Sequence, residues 1–171
     1  FGRMYIAPLL PKIVANYPEL TCELVLTDEL VDLVADNIDL ALRLTKAPPE
    51  DAVARKLVHM KRVICGTPAY FAAHGEPKTP QELADHSCFS FQLADGNHAW
   101  KLIDGNNEEI SVKVESKFRF NNVDCILDAA LAGHGIAMLP TYLCGPELAR
   151  GALTTVLDDF ELVSSHGRYL Y

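Results

Sequence analysis

Basic charge is scarce in this sequence. Fifteen Lys and Arg stand against 23 Asp and Glu among 171 residues, a formal net charge of −8. Such a chain is not built to grip nucleic acid by itself, because that affinity comes from cations neutralising phosphates. A local basic pocket for a small anion stays compatible with it. No apolar run approaches the roughly 18 residues of a membrane span. No CxxC occurs: Cys22, Cys65, Cys88, Cys125 and Cys144 are odd in number and widely spaced. They read as reduced, mostly buried thiols of a cytosolic protein, not as a disulfide scaffold. The six histidines include no HxxxH pair, and His86-x-Cys88 offers two ligands at most. No metal and no cofactor are therefore expected. GxSxG, HExxH and a Walker lysine are also missing, so no enzyme signature is present. Nothing singles out a Cys nucleophile. Internal repeats and low-complexity tracts are absent.

Hydrophobic residues are abundant, at 49%. That suits one domain or two small lobes with a sizeable core. Ile6, Leu9, Leu10, Ile13, Val14 and Tyr17 follow helical spacing. Pro8 and Pro11 predict a kinked or late start to that helix. Residues 20–26, LTCELVL, alternate like a strand. Asp28 is expected to cap a short helix with Leu30, Val31, Leu33 and Val34 inward, and residues 38–44 to form a buried strand. This α-β-α-β order predicts a parallel sheet with packed helices. Thr67-Pro68 opens a further helix, and Thr79-Pro80-Gln81-Glu82 forms a capping box. Strands are expected at 88–92, 98–103 and 109–120, with a turn at Asp104-Gly105-Asn106. Asn121 caps a helix that ends near Gly133. The strand Gly135–Leu139, a helix to about Ala149, the strand Leu153–Leu157 and a strand beginning near Arg168 complete the series. Trp100, Phe118 and Phe120 are assigned to the core.

AALAGHGIAMLP, residues 129–140, invites comparison with a nucleotide-binding loop. The order is wrong for one. Phosphate-binding glycines lie between a strand and the start of a helix. Here the helix comes first, so the glycines meet the negative end of its dipole. They read as a C-cap, with Gly133 left-handed, Gly135 admitting the chain to the sheet and His134 facing solvent. An anion belongs at helix N-termini instead. Candidates are Phe1-Gly2-Arg3, Thr27-Asp28, Thr67-Pro68 and Asn121-Asn122, which an α/β order gathers at one sheet edge. Arg43, at a strand end, adds a cation or makes a surface ion pair.

Five segments in order carry a resemblance: APLLPKIVANYPEL, VDLVADNIDLALRL, CGTPAYFAAHGEPKTPQELADHSC, NNVDCILDAALAGHGIAMLP and ELARGALTTVLDDFEL. Together they resemble the effector-binding domain of LysR-type transcriptional regulators, across essentially the whole chain. The resemblance implies an α/β fold like type-2 periplasmic binding proteins: two lobes joined by two crossover strands. Lobe I is then residues 1–63 plus 167–171, and lobe II residues 64–166. A winged helix-turn-helix precedes this domain in such families and carries the DNA contact. The chain opens at Phe1 and stops within GRYLY, so a piece of a longer protein is expected.

Carried over residue by residue, the effector-lining candidates are Phe1, Gly2, Arg3, Thr27, Asp28, Arg43, Gly66, Thr67, Phe91, Asn121 and Asn122. Two positions depart from the family pattern: Arg43-Leu44-Thr45 replaces Arg-x-Gly, and Thr67-Pro68 replaces Ser-Pro. The implied function is a cytoplasmic, non-enzymatic sensor of a small organic anion, most simply a carboxylate. It pairs through lobe I helices as a dimer, or a tetramer in full-length proteins. The rival classes are a periplasmic solute-binding protein and an enzyme on the same bilobal fold.

Overall fold

Local signals decide much of the chain from Leu40 onward. The computed structural model describes residues 1–27, 31–45, 47, 53–91, 99–116, 118–163, 167 and 169–171. They divide into two units, Phe1–Asp39 and Leu40–Tyr171.

In the first unit the two prolines distort the helix start as expected. A wide π-type turn, Gly2–Ile6, passes into a 3-10 turn, Ala7–Leu9, and then α1, Leu10–Asn16. The rest differs from expectation. Residues 20–26 form no strand and are all exposed. Alternation supplies a face, but a strand also needs a neighbour to accept its backbone bonds. None pairs with this segment among the described residues. The expected helix from Asp28 is replaced, over its described residues, by turns ordered around Asp32. Its Oδ1 accepts from Val34 N at 2.9 Å and Ala35 N at 3.0 Å. Val34 is 85% exposed, not inward. Asp28 and Leu30 lie outside the described residues.

Among the described residues, all the strands lie in the second unit. They are β1 (Leu44–Thr45), β2 (Val58–His59), β3 (Arg62–Gly66), β4 (Cys88–Phe91), β5 (Ala99–Ile103) and β6 (Glu109–Lys113). After these come β7 (Arg119–Phe120), β8 (Ile136–Pro140), β9 (Thr154–Val156), β10 (Glu161–Val163) and β11 (Tyr169–Leu170). The helices are α2 (Pro68–His74), α3 (Val123–Leu131) and α4 (Thr141–Ala149). The buried strand expected over 38–44 shrinks to β1, and the one expected over 109–120 splits into β6 and β7. The expected lobe boundary at 63/64 falls inside β3.

Among the described residues three sheets result. A small antiparallel one has the order β1-β11-β2, extended by reciprocal bonds of 2.9 Å between Arg43 and Tyr171. A second has the order β10-β5-β6. Its β5–β6 hairpin closes where expected, with Asp104 Oδ1 accepting from Asn106 N and Glu108 N, both at 2.9 Å. The positive φ of 65° falls on Asn107. The third has the order β7-β4-β8-β3-β9. It is mixed: β3 runs antiparallel to β8 and β9, and β4 runs parallel to β7 and β8.

The core lies in this unit. Ile64, Tyr70, Phe71, Leu83, Cys88, Trp100, Leu102, Val112, Val114, Ile136 and Val156 form one buried cluster. Each fully buried Leu or Ile contributes about 1.5–3 kcal/mol relative to exposure. Three cysteines, Cys65, Cys88 and Cys144, are buried, whereas Cys22 and Cys125 are exposed. Phe118 departs from its core assignment, being 55% exposed.

Candidate functional site

Helix starts and strand ends decide which side chains meet. Thr67 caps α2 as its sequence predicts, its Oγ1 accepting from Tyr70 N at 3.2 Å. The expected capping box at Thr79 forms differently. Glu82 Oε2 accepts from Lys78 N at 2.8 Å and its Oε1 from the Thr79 hydroxyl at 3.0 Å. Those two bonds hold the Glu82 carboxyl below its ordinary range. At α3 the cap is Asn122 and not Asn121, because Asn122 Oδ1 accepts from Asp124 N at 2.8 Å. At the other end of α3, Gly133 has φ +78° and its N–H bonds to Ala130 O at 2.9 Å, the C-cap expected from GHG. His134 is exposed. Gly135 has a packing reason: a Cβ there would stand 2.5 Å from Ser87 O and 3.1 Å from the Phe89 ring.

Strand register then separates the candidates. Cys65 pairs with Ala137 and Arg62 with Pro140 across β3–β8, while Phe89 pairs with Ala137 across β4–β8. Phe91 pairs with Phe120 across β4–β7. The sheet therefore has two edges. Phe91, Phe120, Asn121 and Asn122 share one with Arg62 and Pro140. Gly66 and Thr67 lie at the other, about 10 Å away along the strands at ~3.3 Å per residue. There a Cβ on Gly133 would stand 3.3 Å from Thr67 Oγ1, and one on Gly66 would stand 3.0 Å from the Phe71 ring. The expectation that all these helix starts gather at one edge is corrected by the reversed direction of β3.

Arg43 sits half-buried in the small sheet, beside Tyr171. In the first unit, Phe1 stacks on Tyr5 with centroids 5.1 Å apart. Gly2 leaves room for the tip of Leu26, while Arg3 and Thr27 are exposed. Asp28 lies outside the described residues.

The Phe91–Asn122 edge has a wall of aromatic rings. Phe118 stacks on Phe120 at 6.3 Å, and both lie 6.3 Å from Phe89. Parallel register puts Phe91 and Phe120 on the same sheet face. The α3 start adds backbone N–H groups without intrahelical acceptors, of which Asn122 occupies one. Apolar rings beside an electropositive helix end suit an organic anion. Sequence reasoning missed Arg62, whose only signal is a second cation, after Lys61, at the head of a buried strand. It also missed a buried pair: Tyr70 Oη lies 3.2 Å from His86 Nδ1 and accepts from Ser87 N at 3.2 Å. Burial, aided by His74, pulls the His86 pKa below its ordinary value, so the ring stays neutral. Among the described residues no cluster of metal-ligating side chains occurs, and no helix is long and apolar enough to cross a membrane.

The architecture is that of a mixed α/β ligand-binding module of the periplasmic-binding-protein type. The LysR substrate binding domain matches residues 1–170, and the chain belongs to that family. The HTH-type transcriptional activator TtdR of Escherichia coli K12 is 37% identical over 161 residues, 94% of this chain and 52% of the relative. The probable HTH-type transcriptional regulator LtrA of Klebsiella pneumoniae is 35% identical over 170 residues, covering 99% and 55%. The chain thus spans about half the length of these relatives. Among solved structures, CrgA from Neisseria meningitidis superposes with a TM-score of 0.81 at 25% identity, over 99% of this chain and 56% of that one. The virulence activator AphB of Vibrio cholerae gives 0.85 at 22%, covering 99% and 56%.

Proposed function

We propose that this domain senses a small organic anion, a carboxylate, through the sheet edge of Phe91, Phe120, Asn121 and Asn122. The observation that carries the reading is the convergence of the α3 start with the aromatic rings of β4 and β7. Phe1, Gly2, Arg3, Thr27, Asp28 and Arg43 enter this proposal through the family resemblance. The domain binds without turnover and acts in the cytoplasm. A ligand that prefers one conformation shifts the population toward it. In a full-length regulator that shift changes the spacing of paired DNA-binding domains. Pairing through the first-unit helix is consistent with the exposure of Leu9 and Ile13, beside half-buried Ile6.

A thermal-shift panel of carboxylates tests this. A ligand at one hundred times its Kd adds about 2.7 kcal/mol of apparent stability. Its affinity should fall at least tenfold in Asn122→Ala and Phe91→Ala and stay unchanged in Thr67→Ala. Equal losses in Thr67→Ala and Asn122→Ala would place the ligand elsewhere.

A further inference from the structure

Among the described residues of the second unit, one half-buried cation lacks a counter-charge. Arg62 opens β3, where the chain leaves the small sheet for the five-stranded one. Its Nε is sealed from solvent and meets no acceptor. Among the described residues no carboxylate pairs with it. Burial disfavours its charge, and nearby Tyr142 only partly offsets this. A guanidinium nonetheless stays protonated at neutral pH, and a partly buried charge with a sealed, unpaired N–H is unfavourable.

The same residue lines a pocket of about 180 Å³ together with His59, Met60, Lys61, Phe160, Glu161 and Leu162. Lys61 and Arg62 outweigh Glu161, and His59 adds a donor. Arg62 opens β3 at the same end of the sheet as Phe91 and Asn122, but none of Phe91, Phe120, Asn121 and Asn122 lines the pocket. Its backbone is anchored, because Lys61 O accepts from Thr141 N at 2.9 Å and from the Thr141 hydroxyl at 3.2 Å. Water occupies about 30 Å³ per molecule in the liquid, so the volume takes a compact ligand and not a drug-sized one.

We propose that this pocket is a second anion site, for a small oxyanion carrying a carboxylate or phosphate group, held by Arg62 and Lys61. Its place at the crossover from β2 to β3 lets a bound anion stiffen that connection. Arg62 presents a planar fork suited to two oxygens, and Lys61 a point charge.

The test is thermal denaturation of the purified chain titrated with sodium phosphate, acetate or succinate. Sodium chloride at matched ionic strength serves as reference, and the three salts separate phosphate from carboxylate recognition. A saturable rise in Tm with at least one oxyanion is expected. Its half-saturating concentration should increase at least tenfold in Arg62→Met and several-fold in Lys61→Ala. It should decrease in Glu161→Gln, which removes the opposing charge, and stay unchanged in Lys113→Met on the exposed face of β6. If Arg62→Met does not fold, the opposite shifts in Lys61→Ala and Glu161→Gln decide the matter. A response equal to that in chloride, or one indifferent to all three pocket substitutions, overturns the proposal.

Discussion

Phe1–Asp39 and Leu40–Tyr171 both carry apolar residues at regular spacing, yet only the second has a core. Among the described residues of the first unit none is buried, and Leu9, Ile13, Tyr17, Leu24, Val25 and Leu26 are exposed. In the second, Ile64, Leu83, Leu102, Ile126, Ile136, Leu139 and Leu153 are almost completely enclosed. The difference lies in layering. In the second unit the five-stranded sheet is in contact with α3 and α4, and the core cluster joins it to the β10-β5-β6 sheet. The described residues of the first unit form one helical segment and irregular chain. A periodic apolar pattern designates a face, and only a second layer turns that face into buried area.

The largest test of this contrast is truncation of apolar side chains. Leu102→Ala or Ile136→Ala should cost about 2–5 kcal/mol in urea unfolding. Leu9→Ala and Ile13→Ala should cost less than about 1 kcal/mol. Equal losses in the two units would break the comparison. Glycine substitution gives an intermediate effect. In Gly135→Ala the new methyl meets Ser87 O and the Phe89 ring, which are fixed in the sheet. A loss of about 1–3 kcal/mol is expected. In Gly2→Ala it meets the tip of the flexible Leu26 side chain, and the change should stay within about 0.5 kcal/mol.

The smallest effect is one of pH. The His86 pKa lies below its ordinary value of about 6.5 in the folded chain. The unfolded chain therefore binds the proton first on acidification. Stability is fully present above about pH 6.5 and is lost as pH falls toward the folded value. In His86→Gln, Tm should decline less between pH 7 and 5.5 than in the parent. An unchanged decline would assign the acid sensitivity in this window to other groups.

The elements from Arg62 onward were largely legible because each is punctuated by chemistry. Thr67-Pro68 starts a helix, Gly133 stops one, Asp104-Gly105-Asn106 turns a hairpin and Gly151 ends α4 with φ +73°. LTCELVL has the alternation of a strand but no partner among the described residues, and partners are not written in a single segment. The site was half legible for a related reason. Caps announce where helices begin, whereas the direction of β3 depends on which strands it pairs with. That direction separates Thr67 from Asn122. The step from Asn121 to Asn122 as cap is a one-residue shift between two identical side chains, which sequence alone does not resolve.

Pairing of Val58 with Leu170 and of His59 with Tyr169 places the outgoing and returning chain on adjacent strands. Neighbouring strands lie about 4.8 Å apart. The described residues from Met60 to Gly167 therefore form a cassette plugged into a two-pin socket. Such a piece is replaceable: a cassette from another relative, cut at the same pins, meets the same socket without a new linker.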